Sequence, residues 1–185
     1  MSSFPKFRQK HGPPADCRPA PAARMRAYRQ RLPSSVLDLW QEEGWCSYAE
    51  GLLWFVDPED FRVAVEAWFD RPDQMIVFGR TAFADLFLWD GEEGQYLDVQ
   101  YGKLTSLTDM PSVFFEVSLC TDRYLDTVIR RKLYRQAVKR LGKPAYDECY
   151  AFEPVLALGG SPKAKSLSKV KVREHLVFLA EVVRE

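Results

Sequence analysis

Gly159 to Ser166 reads G-G-S-P-K-A-K-S after an apolar run and before a lysine-rich one. Glycines, lysines and serines in that order could cradle phosphate. The Walker pattern, however, needs a second glycine directly before its lysine, and position 164 is Ala. Pro162 also removes an amide from the cradle. The stretch reads better as a turn held by glycine torsions that delivers the chain into its last helix.

A Cys–His nucleophile is the next candidate. Cys149 and His175 would meet if the final helix packs on the extended segment before it. No third orienting group or oxyanion donor can be named, so a buried cysteine and a packed histidine are the default. Paired carboxylates recur at Glu42-Glu43, at Asp57, Glu59 and Asp60, and at Glu92-Glu93. Those at 57–60 suit a helix N-terminus, where negative charge is favoured, and nothing selects one pair for acid–base work. Arg130, Arg131, Lys132, Arg135 and Lys139 form a basic helical face. A net charge of zero over 185 residues argues against a dedicated DNA binder and for a solvated face. No catalytic, metal or cofactor constellation results.

The cysteines, Cys17, Cys46, Cys120 and Cys149, are scattered and form no CxxC pair. Reduced thiols in a cytoplasmic monomer fit that spacing better than a disulfide frame or a zinc site. No apolar run approaches the roughly 18 residues needed to span a bilayer, and the first residues have no secretory character.

The neutral total hides a strong polarity. Residues 1–31 hold eight Lys/Arg against one acid, Asp16. Residues 32–98 hold fifteen acids against three bases, and residues 99–185 hold fifteen bases against ten acids. An acidic middle of that size can steer a basic partner.

Several elements must position these groups. Residues 11–24, rich in Pro and Ala, read as a loose arm, and "MRAYRQRL" as a short helix. "SSVLDLWQEE" predicts a helix capped by Ser35 and stopped at Gly44. "CSYAEGLLWFV" predicts two short strands turning at Glu50-Gly51. Asp57 caps a helix that has Pro58 at its first position. "MIVFGRT", "ADLFLWD" and "QYLDVQY" read as strands, the second covered on both faces, with 90–94 as a hairpin loop and "KLTSL" as an edge. "PSVFFEVSLC" predicts one helix. A single longer helix follows from Leu125, Ile129, Leu133, Ala137 and Leu141. "ECYAFEPVLALGG" is extended, and Val172, Leu176, Leu179 and Val183 stripe a last helix. The expected fold class is α+β: an antiparallel sheet with helices before and after it, in two closely packed subdomains. The expected division is an arm at 1–31, a subdomain at 32–108 and a helical module at 109–185.

Residues 32–61, which include Leu32, Pro33, Trp40, Gly44, Trp45, Tyr48, Gly51, Leu52, Trp54, Asp57 and Pro58, resemble the opening of GAD-like domains. "RTAFADLFLWD" (80–90) is similar to a further block of that family, with Ala84 where glycine is usual. "CYAFEPVLALGG" and the lysine-rich turn before His175-Leu176 resemble the module that commonly follows, with Ala151 again replacing glycine. The resemblance covers roughly residues 30–180 in ordered blocks, which is more specific than any single short motif.

The resemblance implies an immunity protein of the type VI secretion system, paired with a DNase effector, notably of GHH type. It implies a cytoplasmic inhibitor without catalysis, cofactor, membrane or direct nucleic-acid contact, and a monomer that binds one nuclease toxin domain. Asp57, Glu59, Asp60, Asp90, Glu92 and Glu93 are the expected toxin contacts; Tyr48 and Trp54 read first as core residues and only second as anchors beside them. The alternative is a non-catalytic regulatory or ligand-binding module with another protein partner.

Overall fold

The computed structural model describes residues 3–184. Pro5–His11 (α1), the strand Ala15–Arg18 (β1), Ala22–Tyr28 (α2) and Ser34–Glu43 (α3) lead into the sheet. Trp45–Tyr48 (β2) and Leu53–Phe55 (β3) turn at Ala49–Gly51, as expected. A 3-10 turn at Pro58–Phe61 opens Arg62–Trp68 (α4), and Asp57 accepts from the Glu59 amide at its start. Ile76–Thr81 (β4), Leu86–Trp89 (β5), Gly94–Asp98 (β6) and Lys103–Thr108 (β7) complete an antiparallel meander of seven strands in chain order. Pro111–Glu116 (α5), Asp122–Thr127 (α6) and Arg131–Leu141 (α7) follow. Glu148–Phe152 (β8) and Leu167–Lys171 (β9) form a separate hairpin, and Val172–Val183 (α8) is the last helix. The architecture is α+β, with helices before and after the sheet.

The central strands are buried on both faces, with apolar residues dominating each face and Arg80, Thr81 and Gln95 as buried polar exceptions. Phe55, Phe78, Phe87 and Tyr96 face one core, shared with Phe7 of α1, Trp40 of α3 and Phe115 of α5. Trp54, Val77, Leu88 and Leu97 face the other, shared with Val65 and Trp68 of α4 and Leu176 and Leu179 of α8. The N-terminal helix packs into the first core and the C-terminal helix into the second. Phe4 stacks on Phe115 at 4.1 Å, and Trp68 Nε1 donates to the Leu176 carbonyl at 2.9 Å.

Several expectations need correction. Residues 11–24 are not a loose arm: Ala15–Arg18 forms an edge strand antiparallel to β2. That pairing sets Cys17 opposite Cys46, and the two are joined as a disulfide, with only Cys120 and Cys149 free. A separation of 29 residues conceals the pair in the sequence. Ser35 does not cap α3, which begins after Pro33 without a side-chain cap; the stop at Gly44 holds, at φ +82°.

The single helix expected over 122–142 breaks at Arg130, whose φ is 62°. The break has a cause: Arg130 turns into the sheet and bonds Asp85 at 2.6 Å and Asp98 at 2.7 Å. Gly159 holds a left-handed turn, but the chain passes from it into β9 before the last helix. A Cβ on Gly160 would fall on the Pro154 carbonyl, so close backbone approach fixes the second glycine. Ala84 sits at φ 69°, a conformation that glycine favours, whereas Ala151 lies in ordinary strand. No helix among the described residues is long and apolar enough to cross a membrane.

Candidate functional site

Strand polarity gathers the predicted acidic residues. Phe55 pairs with Gly79, Ile76 with Trp89, Trp89 with Gly94 and Gly94 with Thr108. The chain after β3, the β5–β6 turn and the end of β7 therefore lie at one end of the sheet. Asp57 and Asp90 follow strands two places apart, a spacing of about 10 Å.

The two acidic groups differ in state. Those at 57–60 are already occupied by the basic N-terminal segment. Arg24 pairs with Asp57 at 3.0 Å and with Glu59 at 3.5 Å. Tyr28 Oη donates to Glu59 at 2.8 Å. Asp60 accepts from Tyr146 Oη at 2.9 Å, and Arg18 lies 4.0 Å from Asp60 and 3.8 Å over the Tyr146 ring. Burial raises the Asp57 carboxyl, and burial likewise pushes Tyr28 up to about 12 with help from Glu59. The arm's role was missed by sequence reasoning; its signal was the eight bases of 1–31 opposite the acidic middle.

The hairpin group is open. Asp90 is half-buried and builds the turn: Oδ1 accepts from the amides of Glu92 and Glu93, and Oδ2 from Gln95. Burial opposes its charge, but these donors outweigh it and hold the carboxyl below its usual range. Glu93 accepts from Gln95 and from Ser106 Oγ. Glu92 projects freely at the tip. Tyr48 and Trp54 are 1% and 2% exposed and belong to the core.

The Cys149–His175 constellation is not assembled. Both side chains are buried, and no hydrogen bond joins them among the described residues. Burial pushes the Cys149 thiol up to about 12, the reverse of what a nucleophile needs. His175 Nε2 has no hydrogen-bond partner among the described residues, and burial, against a weaker pull from Glu153, lowers the ring to about 4. The unfolded chain therefore binds a proton more readily than the folded one. The contribution of His175 to folding stability is expected to be intact above about pH 6.5 and to fall by up to about 3 kcal/mol towards pH 4, against the opposite trend of any carboxyl whose pKa burial raises. Urea titrations across this range check it: His175→Leu should flatten this part of the profile, and an unchanged profile would refute the assignment. Among the described residues, no three His, Cys, Asp or Glu converge as a metal site. The basic face of α7 is committed only at its start: Arg131 pairs with Asp122 and Asp126, each at 2.7 Å, and the preceding Arg130 is bound to the sheet, whereas Arg135 and Lys139 are exposed and carry no ion pair among the described residues.

Comparison with known proteins adds to this geometry. Residues 2–102 match the GAD-like domain family, and residues 112–183 match the family described as T6SS immunity protein Tdi1, C-terminal. The fold is similar to the crystal structure of Atu4351 from Agrobacterium tumefaciens, with a TM-score of 0.77 and 17% identity over 95% of this chain and 87% of that one. No curated protein is detectably similar in sequence.

Proposed function

We propose, since the chain belongs to the family of T6SS immunity proteins with a GAD-like domain and a Tdi1 C-terminal module, that its toxin is a DNase and that its acidic sheet end overlies the DNA-binding cleft. A DNase holds a polyanion through Lys and Arg and so presents a basic surface. The observation that carries the reading is the open acidic turn of Asp90, Glu92 and Glu93, at the sheet end where Asp57, Glu59 and Asp60 also lie, already engaged within the chain. Carboxylates placed there speed encounter with a basic cleft and compete with phosphate for it. One immunity protein would cover one toxin domain.

The test follows from the turn's construction. Asp90 must be kept because it builds the turn, and Glu93 must keep an acceptor for Gln95 and Ser106, whereas Glu92 can be reversed. Glu92→Lys with Glu93→Gln is expected to slow association with the toxin domain about tenfold at low salt and less at high salt. Stopped-flow mixing at two ionic strengths measures this. An unchanged association rate at low salt would remove the acidic turn from the contact.

A further inference from the structure

Beside the acidic turn lies an exposed apolar stripe. Met110 is 55% exposed, Val113 38% and Val117 54%. Met110 and Val117 flank the two ends of α5 and Val113 is exposed between them, while Phe114 and Phe115 turn into the core. The inner side of the helix is fixed, since Phe115 stacks on Phe4 and Glu116 accepts from the amides of Lys6 and Phe7 at 3.1 and 3.3 Å. The stripe adjoins the turn. Leu107, Thr108 and Pro111 line a small cleft with Trp89 and Gly94, and Ser106 donates to Glu93 at 2.5 Å. Glu92 and Asp109 stand at its rim, both exposed and without an ion pair among the described residues.

We infer that Met110, Val113 and Val117, rimmed by Glu92 and Asp109, form the apolar centre of the contact with the toxin domain, a basic protein surface with apolar groups beside its cleft. This rests on the toxin reading. Exposed carboxylates set association rate and specificity, but slow dissociation needs a desolvated apolar centre. Tyr48 and Trp54 are buried and cannot supply it. The other exposed apolar groove, at Val63 and Phe178, is rimmed by Arg173 as well as Glu174 and Glu181, a mixed charge that selects no basic partner. Three side chains fall short of the roughly 800 Å² per partner of a stable complex, so the contact must extend over the turn and the exposed face of β7.

The experiment uses the full chain and the toxin domain of the effector encoded beside its gene. Met110→Ser with Val117→Ser leaves the charge unchanged and lies on the surface, so thermal unfolding should confirm an intact fold. Surface plasmon resonance is expected to show dissociation at least about tenfold faster, with association altered less than about twofold. Wild-type-like dissociation would overturn the stripe and leave the toxin reading standing. Failure of the wild-type chain to bind would overturn both. If light scattering finds a wild-type dimer that the double variant converts to monomer, with toxin dissociation unchanged, the stripe is a face between copies and the inference fails.

Discussion

Replacing Arg130 by alanine is expected to lower the free energy of unfolding by about 3–5 kcal/mol, the cost of leaving a buried carboxylate unpaired. The carboxylate is Asp85, which has no solvent exposure and also accepts from Thr81 Oγ1 at 3.0 Å and Val99 N at 3.3 Å. Burial raises Asp85 to about 6, and Arg130 acts against that rise. Burial likewise opposes the guanidinium, yet Asp85 and Asp98 outweigh it and raise its pKa. The pH dependence has a definite sign. Because Asp85 titrates higher in the folded chain than in the unfolded one, protonation favours the fold, and that advantage is lost as pH rises through about 6. The deficit of Arg130→Ala should therefore shrink in acid, where Asp85 can bind a proton. Urea unfolding at pH 7 and pH 5 measures both effects, and Asp85→Asn in the Arg130→Ala background should recover part of the loss. A loss under about 1 kcal/mol would mean that the triad does not pin the α6–α7 corner to the sheet.

Arg80→Ala is the second large effect, at about 3–4 kcal/mol from stranded carbonyls and a cavity. Arg80 is fully buried and, among the described residues, has no carboxylate at bonding distance. Its guanidinium donates to the carbonyls of Thr81 at 3.1 Å, Ala145 at 3.3 Å and Tyr146 at 2.7 Å, and lies 5.1 Å from the Trp54 ring. Burial lowers its pKa to about 10, so the cation persists at neutral pH. One side chain thus ties the sheet to the segment between α7 and β8. Arg80→Met should restore the packing but not the donors, and Arg80→Lys lacks the planar fork. Thermal melting gives the stability, and chymotryptic cleavage after Tyr146 should quicken as the segment loosens. Cleavage at the wild-type rate in Arg80→Ala would show that the segment is held by other contacts.

These two arginines show what the sequence reveals and what it hides. The family blocks at 40–58 and 80–90 are legible because they are structural: Trp40, Trp54, Arg80, Phe83 and Asp85 are all buried. Their regularity marks a fold, and the motifs name a family without naming its contact surface. The meander was readable from apolar runs broken by turn residues, and the helix start at Asp57-Pro58 from its local capping chemistry. Long-range forces were not readable. The break at Arg130 interrupts a regular four-residue repeat because two carboxylates lie 45 and 32 residues away in sequence. Likewise β1 arises from a Pro- and Ala-rich stretch because β2 offers it a free edge.

The expected contact residues divide along the same line. Asp90, Glu92 and Glu93 belong to a local hairpin, so their place at its tip was visible in advance. Asp57, Glu59 and Asp60 look equally open in sequence, but Arg18, Arg24 and Tyr28 return across more than thirty residues to cover them. The stripe on α5 escaped notice because Phe114 and Phe115 dominate its hydrophobic pattern and the three outward residues read as more of the same core.

The central claim is that the chain neutralises a DNase toxin by binding it. Cleavage of linear DNA by the toxin domain encoded beside its gene tests this directly, with full-length chain added in increasing ratio. The account predicts a linear loss of cleavage that reaches completion at one chain per toxin domain. Undiminished cleavage at about tenfold excess, with the chain at a concentration well above any dissociation constant useful to an inhibitor, would contradict it.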